Sequence, residues 1–256
     1  MTGEPNQEPH KPQEEVKTVQ GSLSKINAFD ICSRISELCH CSHLQSRRGL
    51  DLTTSAIIDL TVASGHLVLN GVGTFVITQR KVSTALTKDP NSSAETIFKS
   101  RVKLTPSQVL KGIINEPLGD HSIALANFEP TASRHSFRRV SSQTLPELSV
   151  IEKVVLSNKS NTEDLFNLMH CRGIPSKEIA HNLFHALRAV IRDALVRNES
   201  VIISGFGKFS IKQVPARQGI NPRTSESITI PAHRRVSFRP GKEFQNRVAK
   251  YTYPPS

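Results

Sequence analysis

The stretch that decides the fold is Gly205-Phe206-Gly207-Lys208-Phe209, a short turn flanked by glycines. Val201 and Ile203 precede this turn, and Phe209 and Ile211 follow it, so apolar residues alternate with others on both sides. Alternation with a period of two around a glycine-containing turn is typical of a β-hairpin with one buried face. We therefore expect a hairpin here, with a core beneath it.

The same turn occurs 134 residues earlier, as Gly71-Val72-Gly73-Thr74-Phe75. The spacing holds without a gap in both directions, which indicates that one domain of about 95 residues occurs twice. Upstream, Ile31, Ile35, Ile57, Leu67 and Leu69 correspond to Leu165, Met169, Ile191, Val201 and Ile203. Downstream, Ile77, Val102, Leu104, Pro106, Leu110 and Ile114 correspond to Ile211, Val236, Phe238, Pro240, Phe244 and Val248.

Each copy shows the same order of predicted elements. In the second copy, Asn161 or Thr162 caps a short helix, Gly173 ends it, and a longer helix with apolar residues at helical spacing runs to Leu195. After the hairpin, residues 214–230 form a polar, basic excursion, and the chain returns through a third strand to a terminal helix. The predicted fold class is α+β, with the order α-α-β-β-arm-β-α in each of two domains joined by a flexible linker.

The charge of the chain favours a polyanionic partner. Its 33 Lys and Arg exceed its 22 Asp and Glu, for a net charge of +11, and residues 157–256 hold 16 of the cations against 7 acids. Such an excess favours nucleic acid before an anionic membrane. The hydrophobic content of 37% excludes a wholly disordered chain, and no apolar run is long enough to span a membrane. With no Trp and 2 Tyr, a surface built on base stacking is not expected.

These patterns divide the chain into a disordered tail (1–23), a first domain (24–116), a linker (117–156), a second domain (157–250) and a short tail (251–256). The acidic first tail has neither the apolar stretch of a secretory signal nor the composition of a transit peptide. Within the linker, Arg138-Arg139-Val140-Ser141 has the form favoured by basophilic kinases, so phosphorylation of Ser141 is a hypothesis.

Two further motifs in the second copy carry a resemblance to a known family. They are Arg217-Gln218-Gly219-Ile220-Asn221-Pro222-Arg223-Thr224 and Phe238-Arg239-Pro240-Gly241-Lys242. Together with the glycine turn they resemble the bacterial histone-like HU and integration host factor family across residues 157–250. The first copy keeps the turn but lacks the arm motif over Val82–Thr96, with Lys88-Asp89-Pro90-Asn91 near its tip, and resembles a degenerate member.

The resemblance implies an intertwined dimer with two β-ribbon arms, which embrace the minor groove and bend the duplex with a proline at each tip. By motif position, that proline is Pro222. Two departures from the family pattern are Ile220, where many relatives have a basic residue, and Ser225, where glycine is common.

The chemistry of the residues points the same way. A proline without an N–H can present an apolar edge to a base pair, and Gly219 and Asn221 are expected to form the tight turn of the arm. The cations on the arm are not expected to stabilise the fold, because the arm packs against no other element. We expect them, and the basic residues beside the arm, to contact phosphates of the nucleic-acid backbone. The predicted DNA-binding residues are Lys208, Lys212, Arg217, Gly219, Asn221, Pro222, Arg223, Thr224, Arg234, Arg235, Arg239 and Lys242.

Other conspicuous residues are assigned structural roles. Phe206, Phe209 and Phe238 are expected to pack in a core or interface, and Arg188, Arg192 and Arg197 to form a solvated helix face. The group Cys32, Cys39, His40, Cys41 and His43 is not predicted to bind metal, because Cys39-His40-Cys41 lacks the two-residue gap of zinc knuckles. Buried thiols and an exposed histidine are expected there instead. No catalytic constellation stands out, so neither an enzyme nor a cofactor is predicted.

The leading hypothesis is an architectural DNA-binding protein of the nucleoid or nucleus, which binds duplex with low sequence specificity and bends or compacts it. Two arrangements remain open: the two domains pair within one chain as a pseudo-dimer, or two chains pair through their second domains. The alternative function is that of a tandem HU-domain structural protein of the cytoskeletal or centrosomal type, without DNA binding. The retained arm motif and the absence of a heptad segment favour DNA binding.

Overall fold

The structure is a computed structural model, and it describes residues 24–84, 95–116 and 147–250. The first two ranges are called the first half, and the third is called the second half. The first half contains β1 (Lys25–Ile26), α1 (Ala28–Cys39), α2 (His43–Ser64), β2 (His66–Leu69), β3 (Gly73–Thr84), β4 (Glu95–Pro106) and α3 (Gln108–Asn115). The second half contains α4 (Glu147–Ser157), α5 (Thr162–Cys171), α6 (Lys177–Val196), β5 (Ser200–Ile203), β6 (Gly207–Val214), β7 (Arg217–Ile220), β8 (Ser227–Ile230), β9 (His233–Pro240) and α7 (Lys242–Ala249).

Helices α1 and α5 begin with the same capping device, 134 residues apart. The side chain of Asn27 accepts hydrogen bonds from the backbone of Phe29 and Asp30, and Asp30 accepts one from the backbone of Asn27. Asn161 and Asp164 form the same capping box at the start of α5. Each box satisfies backbone N–H groups that the first turn of a helix leaves without partners.

One helix was not predicted from the sequence. The last residues of the predicted linker, 147–156, lie within α4, whose Val150 and Val154 are buried against α2 and α5. Lys153 pairs with Asp164 at 3.3 Å. Because α4 has only three turns and its exposed positions include Val155 and Leu156, no clear helical apolar period marks it in the sequence. The predicted tails, residues 117–146 of the linker, and Ser141 lie outside the described residues.

The sheets of the two halves are joined by reciprocal pairing. β2, β3 and β4 form one antiparallel sheet, while β5, β6 and β9 form another with β1 at its edge. Ile26, from the first half, pairs in parallel with Val201 of the second. In return, Ser160 forms a parallel bridge with Leu67. Ile26 and Ser160 are equivalent at the offset of 134, and so are Leu67 and Val201, so each half lends a segment to the sheet of the other.

One hydrophobic cluster contains buried residues of both halves. Phe75 is fully buried, with its ring centroid 5.9 Å from that of Phe206, 5.3 Å from Phe238 and 6.2 Å from Phe244. Phe206 and Phe209 are buried, and Phe238 packs against the cluster, which confirms their predicted packing role. Edge-to-face rings at these separations add to the hydrophobic contribution.

Partly buried ion pairs also join the halves. Asp59 on α2 accepts from Arg172 at 2.6 Å and also pairs with Arg247, and both arginines belong to the second half. Its equivalent, Asp193 on α6, pairs with Arg34 of the first half at 3.2 Å. In the described ranges, no helix is long and apolar enough to cross a membrane.

Candidate nucleic-acid interface

Four cations lie on the outer face of the hairpin formed by β6 and β9. The strand register places Lys208 opposite Arg239 and Lys212 opposite Arg235. These side chains point away from the face that carries buried Phe209, because side chains alternate between the two faces of a strand. Lys212, Arg235 and Arg239 are exposed and Lys208 is half-buried. We call these four residues the basic floor.

The arm extends from this hairpin as the separate ribbon of β7 and β8. The last pair of the hairpin is Val214 with His233, and the ribbon resumes at Arg217 with Ile230. Pro215 and Pro231 lie in the break, where their missing N–H groups prevent continuous pairing. The body of the second half thus carries a ribbon that is not paired with its main sheet.

The tip of the arm is closed by the side chain and backbone of Asn221. Its Oδ1 accepts from the backbone N–H of Arg223 at 3.0 Å, and its carbonyl oxygen accepts from the N–H of Ser225 at 2.8 Å. This turn holds Pro222, Arg223 and Thr224 exposed at the end of the ribbon. Thr224 donates its hydroxyl to the carboxylate of Glu226, a tip acid that the prediction did not include.

The predicted turn role of Gly219 is wrong. Gly219 lies within β7, opposite Ile228, and its φ is not positive. The residue in the left-handed region is Ser225, with φ of +56°. A side chain is disfavoured in that region, so Ser225 carries a conformational cost that glycine would not. At Gly219 a Cβ would stand 3.0 Å from Cδ1 of Ile230, so its small size serves packing across the ribbon.

Arg217 is exposed at the base of the ribbon, and Lys242 is exposed at the start of α7. Ile220 is 73% exposed beside Asn221, and Ile228 is 43% exposed. The arm therefore combines Pro222 and Arg223 at its tip with two exposed isoleucines along the ribbon and Arg217 at its base, which suits contact with a groove wall and its phosphates.

Arg234 does not join the basic floor. It precedes Arg235 on β9 and lies on the opposite face of the strand. Its guanidinium donates to the carbonyl oxygens of Ile114 at 3.1 Å, Leu195 at 2.9 Å and Val196 at 3.0 Å. Burial lowers its pKa. Arg234 thus satisfies the carbonyl groups at the C-terminal ends of α3 and α6, which helices leave without internal partners. Its predicted DNA contact is inconsistent with this position.

The expectation of a solvated helix face is wrong for Arg188. Its guanidinium reaches the turn of the first half and donates to the carbonyl oxygen of Asn70 at 3.3 Å. It also lies 2.8 Å from Nδ1 of His185, and burial lowers the pKa of Arg188. Arg192 is half-buried, while Arg197 is exposed and pairs with Asp193.

The prediction missed a second basic face, on the first half. Arg80 lies opposite Lys99, Thr78 opposite Arg101, and Val76 opposite Lys103. These four cations are exposed and share one face of the long ribbon of β3 and β4. The alternation of Lys99, Arg101 and Lys103 along one strand is the sequence signal for this face. We call these four residues the second basic face.

Most of the cysteine and histidine group has the predicted burial, but the thiol of Cys41 is only half-buried. Cys32 and Cys39 are buried, whereas His40 and His43 are exposed. Burial raises the pKa of Cys39 to about 12, so its thiol stays protonated at neutral pH. Among the residues that the structure describes, no group of three or more His, Cys, Asp or Glu is arranged to hold a metal ion.

Comparison with known proteins gives matches for the second half. Residues 161–249 match the family described as bacterial DNA-binding protein. Integration host factor subunit alpha of Buchnera aphidicola is 37% identical over 98 residues, which cover 38% of this chain and 92% of the relative. The same subunit of Pasteurella multocida is 35% identical over 97 residues, 38% of this chain and 95% of the relative. Among solved structures, an HU–DNA cocrystal structure from Anabaena is 36% identical and covers 29% of this chain and 82% of that chain, with a TM-score of 0.28.

Proposed function

Because this chain belongs to the bacterial DNA-binding protein family of HU and integration host factor, we propose that it is a non-enzymatic architectural protein that binds and bends duplex DNA. The observation that carries the proposal is the exposed tip of the arm, where the turn of Asn221 holds Pro222 and Arg223 away from the body. The basic floor lies on the hairpin from which the arm extends. A wedge next to a cationic surface suits DNA bending better than any catalytic role.

The division of labour follows from the chemistry. Pro222 enters between base steps from the minor groove, and unstacking there costs a few kcal/mol. The bend brings phosphates to the basic floor, whose Lys and Arg side chains release counterions on contact. The minor groove offers a degenerate hydrogen-bonding code, so sequence preference is low. The protein would act at the chromosome, in a nucleoid or nucleus.

We further propose that the two halves act as the two subunits of a family dimer, with the first half a degenerate copy. The shared cluster around Phe75, the reciprocal pairing of Ile26 and Ser160, and the ion pairs of Asp59 and Asp193 support this arrangement. In such a pseudo-dimer, the arm of the second half carries Pro222, and the second basic face, on the first half, adds phosphate contacts. One chain then forms a complete DNA platform.

The test is a gel-shift and bending assay on duplex DNA with the full chain. Pro222→Ala should reduce the bend angle, and Arg223→Ala should weaken binding by roughly 3- to 10-fold at low salt. Arg47→Ala is the matched control, since exposed Arg47 pairs with Asp51 on α2 and is outside the proposed site. Absence of duplex binding by the wild type at about 50 mM salt would reject the proposal, because electrostatic binding is strong there.

A further inference from the structure

Gly49 and Leu183 are equivalent residues of the two halves, 134 positions apart, and they touch each other. Gly49 lies in α2 and Leu183 in α6, and both are buried. A Cβ on Gly49 would stand 2.8 Å from Cδ2 and 2.9 Å from Cδ1 of Leu183. The leucine side chain therefore occupies the space that any side chain at position 49 would need.

Equivalent residues that contact each other lie on the axis that relates the two halves. In a symmetric pair of identical halves, a residue on that axis meets its own copy. Two second halves would bring two Leu183 side chains into the space that now holds one leucine and a glycine. Two first halves would bring two Gly49 residues together and leave a void.

The neighbouring positions show the same difference in size. Thr53 and Ala56 follow Gly49 on one face of α2, and their equivalents on α6 are the larger Leu187 and Val190. All four are buried. Glycine is also unfavourable within a helix, so its presence at position 49 requires a compensating contact. At these two positions, as at position 49, the residue of α2 is smaller than its equivalent on α6.

We propose that Leu183 and Gly49 form a knob-and-hole pair that selects pairing of the first half with the second and excludes pairing of two second halves. The proposal rests on the internal pairing within the proposed function, and it is independent of DNA binding. It identifies the partner of the second half as the first half of the chain, and it excludes a second copy joined through two second halves.

The first test fills the hole in the full-length chain. Gly49→Leu should lower the melting temperature by roughly 5 to 10 °C, because overpacking forces side chains or helices apart. The swap Gly49→Leu with Leu183→Gly should recover most of that loss, even if the single variant fails to fold. Gly112→Leu is the matched control, since a Cβ on Gly112 of α3 meets no atom within 4 Å. An unchanged melting temperature for Gly49→Leu, or no recovery in the swap, would overturn the proposal.

The second test measures selection directly. Tagged and untagged full-length chains are refolded together, and the untagged chain recovered with the tag is quantified beside the mass by light scattering. The wild type should remain at 28.3 kDa with background recovery. Leu183→Ala removes the knob and should raise recovery several-fold. Recovery by the wild type, or none by Leu183→Ala, would contradict the proposal.

A gel shift on the same samples separates the outcomes, because a 28.3 kDa chain that fails to bind DNA refutes only the proposed function.

Discussion

The backbone N–H of Ser225 donates to the carbonyl oxygen of Asn221 at 2.8 Å, and this bond holds Ser225 in the left-handed region at the tip of the arm. A side chain in that region is less stable than glycine by about 1 kcal/mol. The turn that presents Pro222 is therefore strained at one residue. Its conformation depends on the two hydrogen bonds that Asn221 accepts.

Ser225→Gly should relieve this strain and populate the closed turn more fully. Hydrogen exchange of the residue 225 amide should slow by roughly 3-fold, a gain reduced by the greater freedom of glycine in the open state. Ser225→Val should exchange faster, since a β-branched residue is least tolerated there. Ser227→Gly, in extended strand β8, is the control. Equal exchange in the glycine and valine variants would show that the turn does not depend on this conformation.

The adjacent residues Arg234 and Arg235 should separate stability from DNA binding. Arg234→Lys keeps the charge but cannot reach three carbonyl oxygens on two helices, and should lower the free energy of unfolding by about 2 kcal/mol. Arg235→Ala should leave stability nearly unchanged and reduce the salt dependence of DNA binding by about one phosphate contact. Urea unfolding and gel shifts at several salt concentrations measure both. The assignment is wrong if Arg234→Lys is as stable as the wild type.

Arg234 and Arg235 also show which features could be predicted from the sequence and which could not. The glycine turns, the arm motif and the offset of 134 were sufficient to predict the elements that the two halves share, the buried phenylalanines and the exposed tip, but not β1 or α4. Alternation along β9 shows that Arg234 and Arg235 point to opposite faces, but the local sequence does not show that α3 of the other half lies beneath Arg234. The predicted turn role of Gly219 was wrong for a similar reason. Its neighbour Ile230 lies on the opposite strand of the ribbon, and the local sequence does not show that contact.

Acid should destabilise the protein through His185. Burial, with Arg188 and His181 nearby, lowers the pKa of His185 to about 4, and the guanidinium of Arg188 lies 2.8 Å from its Nδ1. In the unfolded chain a histidine has a pKa near 6.5. The unfolded state therefore binds the proton first, so the contribution of neutral His185 is complete above pH 6.5 and is lost as the pH falls towards 4.

Replacing His185 by Gln should flatten the pH dependence of stability between pH 6.5 and 4. After allowance for solvent screening of a half-buried group, roughly 1 to 2 kcal/mol of acid destabilisation should disappear. His43→Gln, at an exposed position on α2, should retain the wild-type slope. Urea unfolding at each pH gives the comparison, and an unaltered slope in His185→Gln would assign the acid sensitivity to other groups.

The second basic face should share the work of DNA binding if the two halves form one platform. Arg101 is equivalent to Arg235 at the offset of 134, and both are exposed on the outer faces of their sheets. Arg101→Ala should therefore weaken binding uniformly across DNA sequences and reduce the slope of log affinity against log salt by about 1, as expected for Arg235→Ala. The double variant should lose about twice as much, because distant contacts are additive.

Arg47→Ala again controls for net charge. A normal salt slope in Arg101→Ala, with a reduced slope in Arg235→Ala, would restrict DNA binding to the second half and leave the first half a structural partner.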